Sequence, residues 1–220
     1  MLEQLKALVQ TFARTADPFD PEQFEDDIAS RTAWTPAVSG GTNIHTHDLR
    51  QVSPQQAVFS ATWKAWAFTS IFLFLGAVVG IGGTIAYQAG QFDASAMVGL
   101  ALFSGIFMLA GALTQYWMCA PRTFDRRLGI FWKGRRVPPH IGRPREGDQH
   151  VTLDMIYALQ ILREYCSSDG GGFYSYELNL VLQDGERVNV VDHGKVEIIR
   201  RDAKQLAEFL GGIPVWDASP

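Results

Sequence analysis

Few residues in this chain have the types and spacing that chemistry requires. His45, His47 and Asp48 fall close together, and on a strand, whose side-chain period is two, both imidazoles would share one face, as two metal ligands must. A metal centre needs further donors. His140, His150 and His193 are the other histidines; none has a local partner at ligand spacing, so the pair is only a weak metal candidate and reads first as two solvated strand histidines. Cys119 and Cys166 make neither a metal-type spacing nor a disulfide framework, which suits a reducing compartment. No cofactor is expected.

Cys166, Ser167 and Ser168 are nucleophile types near one another, with His193 as a base to be brought in from elsewhere. No nucleophile-elbow pattern surrounds them. Asp169 to Gly172 resembles a phosphate cradle only in its glycines, since no Gly-Lys-Ser/Thr follows and a strand pattern, not a helix, comes next. The glycines are flanked by Tyr165, Phe173, Tyr174 and Tyr176, which read as a contact surface. A non-catalytic protein is therefore expected, with a membrane-bound hydrolase as an alternative.

The third candidate is electrostatic. Residues 122–145 hold eight Lys/Arg against one Asp, whereas residues 1–60 hold four against eight and residues 146–220 six against thirteen. Such a belt sets membrane topology by default, contacts anionic lipid headgroups, or binds nucleic acid. The net charge of −4 and the lack of interleaved aromatics beyond Phe131 and Trp132 argue against nucleic acid. The later acidic stretch can also fold back on the belt. The expected contact surface joins Arg126, Arg127, Lys133, Arg135 and Arg136 to Phe173 and Tyr174, charge orienting a ligand and aromatics on a glycine loop gripping it.

Two apolar runs must position all of this. Ala65 to Tyr87 is 23 residues without a charge and Ser95 to Met118 is likewise uncharged; at 1.5 Å per residue the first reaches roughly 35 Å, enough to span a hydrocarbon core. Trp63, Trp66, Tyr87, Tyr116 and Trp117 fall at the ends, where amphipathic rings anchor at headgroup level. Gly76, Gly80, Ala101, Gly105 and Gly111 would let the two helices pack closely. Lys64 before the hairpin and Arg122, Arg126 and Arg127 after it, against none in Gln88 to Ala94, predict an inner or plasma membrane protein with both termini cytoplasmic.

Around the hairpin, Leu2 to Phe12 repeats at helical spacing without the basic start of a signal peptide. Asp17 to Gly41 is a polar linker carrying Phe19, Phe24, Ile28 and Trp34. Asn43 to Arg50 and Ala57 to Trp63 read as a strand pair; a strand, turn and strand follow over 122–134, then a buried strand over Val151 to Tyr165. Tyr176, Leu178, Leu180 and Leu182 alternate with polar residues as in a strand with one buried face, and Asp184-Gly185 turns it back into Arg187 to Val191. Val196, Ile199, Ala203, Leu206 and Leu210 then recur at helical spacing. The chain divides as 1–42, N-terminal helix and linker; 43–64, strands before the membrane; 65–119, transmembrane hairpin; and 120–217, cytoplasmic domain. The fold class is an α+β membrane protein whose mostly antiparallel sheet is capped by a C-terminal helix.

From about Ala65 to Asp217 this order resembles the membrane-tethered pleckstrin-homology-like (PH-like) proteins of bacteria. The two helices followed by Phe124-Asp125-Arg126, Leu128-Gly129-Ile130, Trp132 to Gly134, Ala203, Leu206-Ala207, Phe209-Leu210 and Ile213-Pro214 are similar to the photosystem I assembly proteins of chloroplasts and cyanobacteria. The resemblance implies a small curved sheet closed by the last helix and a non-enzymatic scaffold that assists or regulates a membrane protein complex, with the bilayer and another protein as partners. The long N-terminal segment, the glycine loop and the loop after Gly134 depart from that pattern, so a photosynthetic role is not implied. An immunity-type protein that neutralises a toxin at the membrane is a further alternative.

Overall fold

A computed structural model describes residues 19–38, 40–139, 150–168 and 171–219. The helix expected over Leu2 to Phe12, and His140, lie outside them. A short 3-10 turn (Pro21–Phe24) and α1 (Asp27–Arg31) lead to the β1 (His47–Ser53) and β2 (Gln56–Ala61) hairpin. Two long helices, α2 (Trp63–Gln88) and α3 (Ala94–Met118), follow. Then come β3 (Arg122–Asp125), β4 (Ile130–Lys133), β5 (His150–Thr152), β6 (Ile156–Ser168), β7 (Gly171–Leu182), β8 (Arg187–His193), α4 (Val196–Phe209) and β9 (Val215–Asp217).

Strands β1 to β5 form one antiparallel meander in sequence order, and the second sheet runs β8-β7-β6-β9 with β9 parallel to β6. Strand β2 pairs directly with β3, Val58 opposite Thr123 and Phe59 opposite Arg122. The long helices are thus an insertion between two neighbouring strands of one sheet. Leu49, Phe59, Phe124, Phe131 and Val151 from the first sheet share one core with Leu159, Ile161, Leu178, Leu180 and Val191 from the second, closed by Ile199, Ala203, Leu206 and Phe209 of α4. Asp202 of α4 is fully buried, takes both Nε and Nη2 of Arg201, and accepts the Leu49 amide at 3.3 Å, which ties the closing helix to β1.

Three sequence expectations need correction. Val151 to Tyr165 is not one strand: a 3-10 turn at Leu153–Met155 divides it between the two sheets, and an apolar run carries no mark of where it changes sheet. The outer face of β7 is not solvated, since Glu177, Asn179 and Val181 are all buried. The N-terminal segment covers that side. Phe24, Ile28, Trp34 and Ala29 pack on Ala158, Val181 and Trp216, and the Trp34 ring lies 5.3 Å from Phe24 and 6.0 Å from Trp216. Finally, β1 starts at His47 rather than Asn43, because the preceding amides bond to the other sheet, Gly41 to Glu164 at 3.2 Å and Thr42 to Ser175 at 2.9 Å.

Helices α2 and α3 are long and apolar enough to cross a membrane, and only 17% and 11% of their most apolar stretches is covered by the rest of the protein. Apolar surface left that bare is the opposite of a soluble core helix. A Cβ added at Gly76 would stand 2.9 Å from the Ser104 carbonyl oxygen, and one at Gly111 2.9 Å from the Leu73 amide nitrogen. These glycines therefore let the backbones touch. Ser104 donates to the Gly76 carbonyl at 2.7 Å across the pair, whereas Gly105 faces open space and takes no part in the contact.

Candidate functional site

The residues between the helices and the sheets make a polar layer. Thr62, the single residue between β2 and α2, accepts the Ala65 amide at 3.3 Å as N-cap and donates its own hydroxyl to the His45 carbonyl at 2.6 Å. After α3, Cys119 to Pro121 lead straight into β3, whose Arg122 turns back to donate to the Ala120 carbonyl at 2.6 Å and the Val190 carbonyl at 3.1 Å. Both chain crossings are consequently held by side-chain bonds as well as by the backbone.

His47 sits in this layer and is 1% exposed. Its Nδ1 lies 3.0 Å from Thr46 Oγ1, and its Nε2 meets both the Ala120 carbonyl, at 3.1 Å, and the Arg122 guanidinium. Neither nitrogen is left for a metal. His45 Nε2 is 2.9 Å from Asp48 Oδ1, and its ring stands edge-on to that of His193 at 4.8 Å. The pair is therefore not two solvated strand histidines: His45 precedes the strand and His47 is interior. Among the described residues no group of three or more His, Cys, Asp or Glu is arranged to hold a metal ion.

Lys133 and Arg122 are paired across β3 and β4. Lys133 donates to Asn189 Oδ1 at 3.1 Å, and Asn189 Nδ2 in turn donates hydrogen bonds to Glu177 Oε1 at 3.0 Å and Asp192 Oδ1 at 3.2 Å. The Glu177 carboxylate also accepts the amides of Ala37 and Val38, at 2.9 and 3.1 Å, which pins the N-terminal segment on this layer. Burial pushes Lys133 down to about 8 and Arg122 to about 10; burial, reinforced by Glu177, lifts Asp192 to about 6. Burial likewise holds His47 and His193 near 3. Neither ring nitrogen of His193 has a hydrogen-bond partner among the described residues.

The expected contact surface is divided by the fold. Lys133, Arg135 and Arg136 stand at the helix end of β4, where Arg135 lies 5.5 Å from the centre of the Tyr116 ring. Arg126 and Arg127 occupy the turn at the other end of the β3–β4 pair, where Arg126 covers the Phe209 ring at 4.5 Å and bonds its carbonyl. Phe173 and Tyr174 belong to neither. They lie on the outer part of the β6–β7 ribbon, beyond the last β8 pairing of Tyr176 with His193, and there Tyr174 packs on Tyr165 at 5.3 Å and under Arg163 at 4.7 Å. Tyr165 and Tyr174 are 57% and 46% exposed.

The nucleophile types are not gathered either. His193 faces Tyr176, whose β6 partner is Arg163, so Cys166 sits two strands across and three residues along, on the order of 10 Å or more from the imidazole. The sequence reading missed Asn189, Glu177 and Asp192 as members of the buried layer. No local signal marked them, because Asn189 and Asp192 are polar residues within a strand and Glu177 stands on the face of β7 that its alternation assigns to solvent. No protein-family model, curated protein or solved structure matches this chain.

Proposed function

We propose that this chain is a non-catalytic, membrane-anchored scaffold in which α2 and α3 span the bilayer and a cytoplasmic sheet domain, read as PH-like, holds another protein of a membrane complex. One observation carries this reading. The helices enter and leave between paired strands with one residue on one side and three on the other, so the domain is fixed in orientation and height instead of swinging on a linker. A fixed orientation serves assembly, where a partner must be presented at a set depth. Tyr165 and Tyr174 on the β6–β7 ribbon are the aromatic anchors we assign to protein contact, because rigid, half-exposed rings supply binding area at small entropic cost.

The tagged full chain, solubilised in mild detergent, is expected to co-purify one stoichiometric protein and to lose it in a Tyr165→Ala/Tyr174→Ala variant. Turnover of a lipid or peptide by the purified chain would decide for a hydrolase instead. Recovery of one protein toxin as the partner would favour the immunity reading.

A further inference from the structure

Both ends of the β3–β4 pair carry cations, but only one end lies beside the apolar helices. There Tyr116 and Trp117 of α3, Arg122, Lys133, Arg135 and Arg136 line a cleft of about 280 Å³. No carboxylate is among its lining residues, and among the described residues Lys133, Arg135 and Arg136 make no ion pair. Asp192 and Glu177 bond to Asn189, behind Lys133.

We propose that this cleft seats the phosphate of an anionic phospholipid, its acyl chains along α3 and its headgroup level set by Tyr116 and Trp117. The assignment rests on the reading that α2 and α3 span the bilayer. Trp117 and Tyr116 are 68% and 54% exposed at the last turn of α3, the depth at which such rings meet headgroups. The space is at the small end of ligand pockets, roughly 300–1,000 Å³, which suits a headgroup and leaves the chains outside. Arg135 and Arg136 are exposed and offer planar forks matched to phosphate oxygens. Arg122 and Lys133 are held in place behind them, and burial that disfavours their charge is relieved by a bound anion.

The full chain would be reconstituted into nanodiscs of phosphatidylcholine with a minor fraction of phosphatidylglycerol, and the lipid kept after transfer to detergent counted by native mass spectrometry. Selective retention of phosphatidylglycerol is expected, weakened about tenfold or more in Arg135→Gln/Arg136→Gln and unchanged in Arg127→Gln at the distal turn. Equal retention by the double variant overturns the site. Displacement by inorganic phosphate as readily as by lipid overturns the lipid assignment in favour of a soluble phosphate ligand. Failure of the chain to enter nanodiscs at all would instead remove the spanning reading, a result distinct from either.

Discussion

The sandwich core and the α2–α3 contact close in opposite ways. Between the sheets the space is filled: Phe59, Phe124 and Phe131 are fully buried, and the rings of Phe124 and Phe131 lie 4.5 Å apart. Between the helices side chains are removed, since Gly76 and Gly111 leave no room for a Cβ and the hydroxyl of Ser104 bonds a backbone carbonyl. On the reading proposed above, that α2 and α3 span a bilayer, the contrast follows from the surroundings. Burying a ring stabilises where the alternative is water, but against hydrocarbon there is no such gain and only close contact and hydrogen bonding remain.

The largest effect should come from the filled interior. Phe131→Ala is expected to cost about 3–5 kcal/mol of sheet stability, measured by urea unfolding in detergent under tryptophan fluorescence. An effect below 1 kcal/mol, the size of a surface substitution, would mean that the two sheets do not share one core.

The polar layer where the two regions meet should respond to acid. His47 and His193 titrate near 3 in the fold against an ordinary value of 6.5, so as pH falls below about 6.5 the unfolded chain takes up protons that the folded one refuses. Stability is then lost at about 1.4 kcal/mol per pH unit for each histidine. Asp192, raised to about 6 from 3.8, acts in the opposite sense: its ionisation penalty is full above 6 and gone below 3.8, which offsets one histidine in that window. Asp202, whose carboxyl is also raised by burial, acts in the same sense as Asp192. A net loss of at most about 1.4 kcal/mol per unit is therefore expected between pH 6 and 4, and His193→Leu should reduce it by removing one of the two histidines. An unaltered slope in that variant would place His193 in contact with solvent.

Gly111→Leu should separate the helices while changing sheet unfolding by less than about 0.5 kcal/mol, because distant sites add independently. Distances between spin labels on α2 and α3 read the first effect, and the urea midpoint reads the second. A large shift in the midpoint would show that the helix contact and the sandwich unfold as one unit.

Smallest in energy, yet sharpest for placing the two regions, is topology. Gln91→Cys in the connection between α2 and α3 should react with an impermeant thiol reagent in intact cells, and native Cys166 on β6 should not. Labelling of Cys166 alone would reverse the orientation.

The sequence by itself determined the elements whose signal is local. The uncharged lengths of α2 and α3 need no partner to be read, the Asp184-Gly185 turn fixes β7 and β8 through positive φ at Gly185, φ 88°, and the amphipathic spacing of α4 names its buried face. Gly76 and Gly111 were legible as packing residues, whereas Gly105, equally small, points away. Tertiary structure alone decided the rest. Pairing of β2 with β3 across the whole helical insertion, the cover that residues 19–38 lay over β6 and β7, and the parallel strand β9 on β6 all join residues far apart in the chain. The basic belt shows the reason most plainly. Arg126 lies in the turn and Arg135 just past β4, so the length of that strand puts them at opposite ends of the pair, while the turn at Gly129, φ 68°, returns Arg135 to the end where Arg122 stands. Composition records how much charge a segment carries; only the pairing of strands sets which charges face the same cleft.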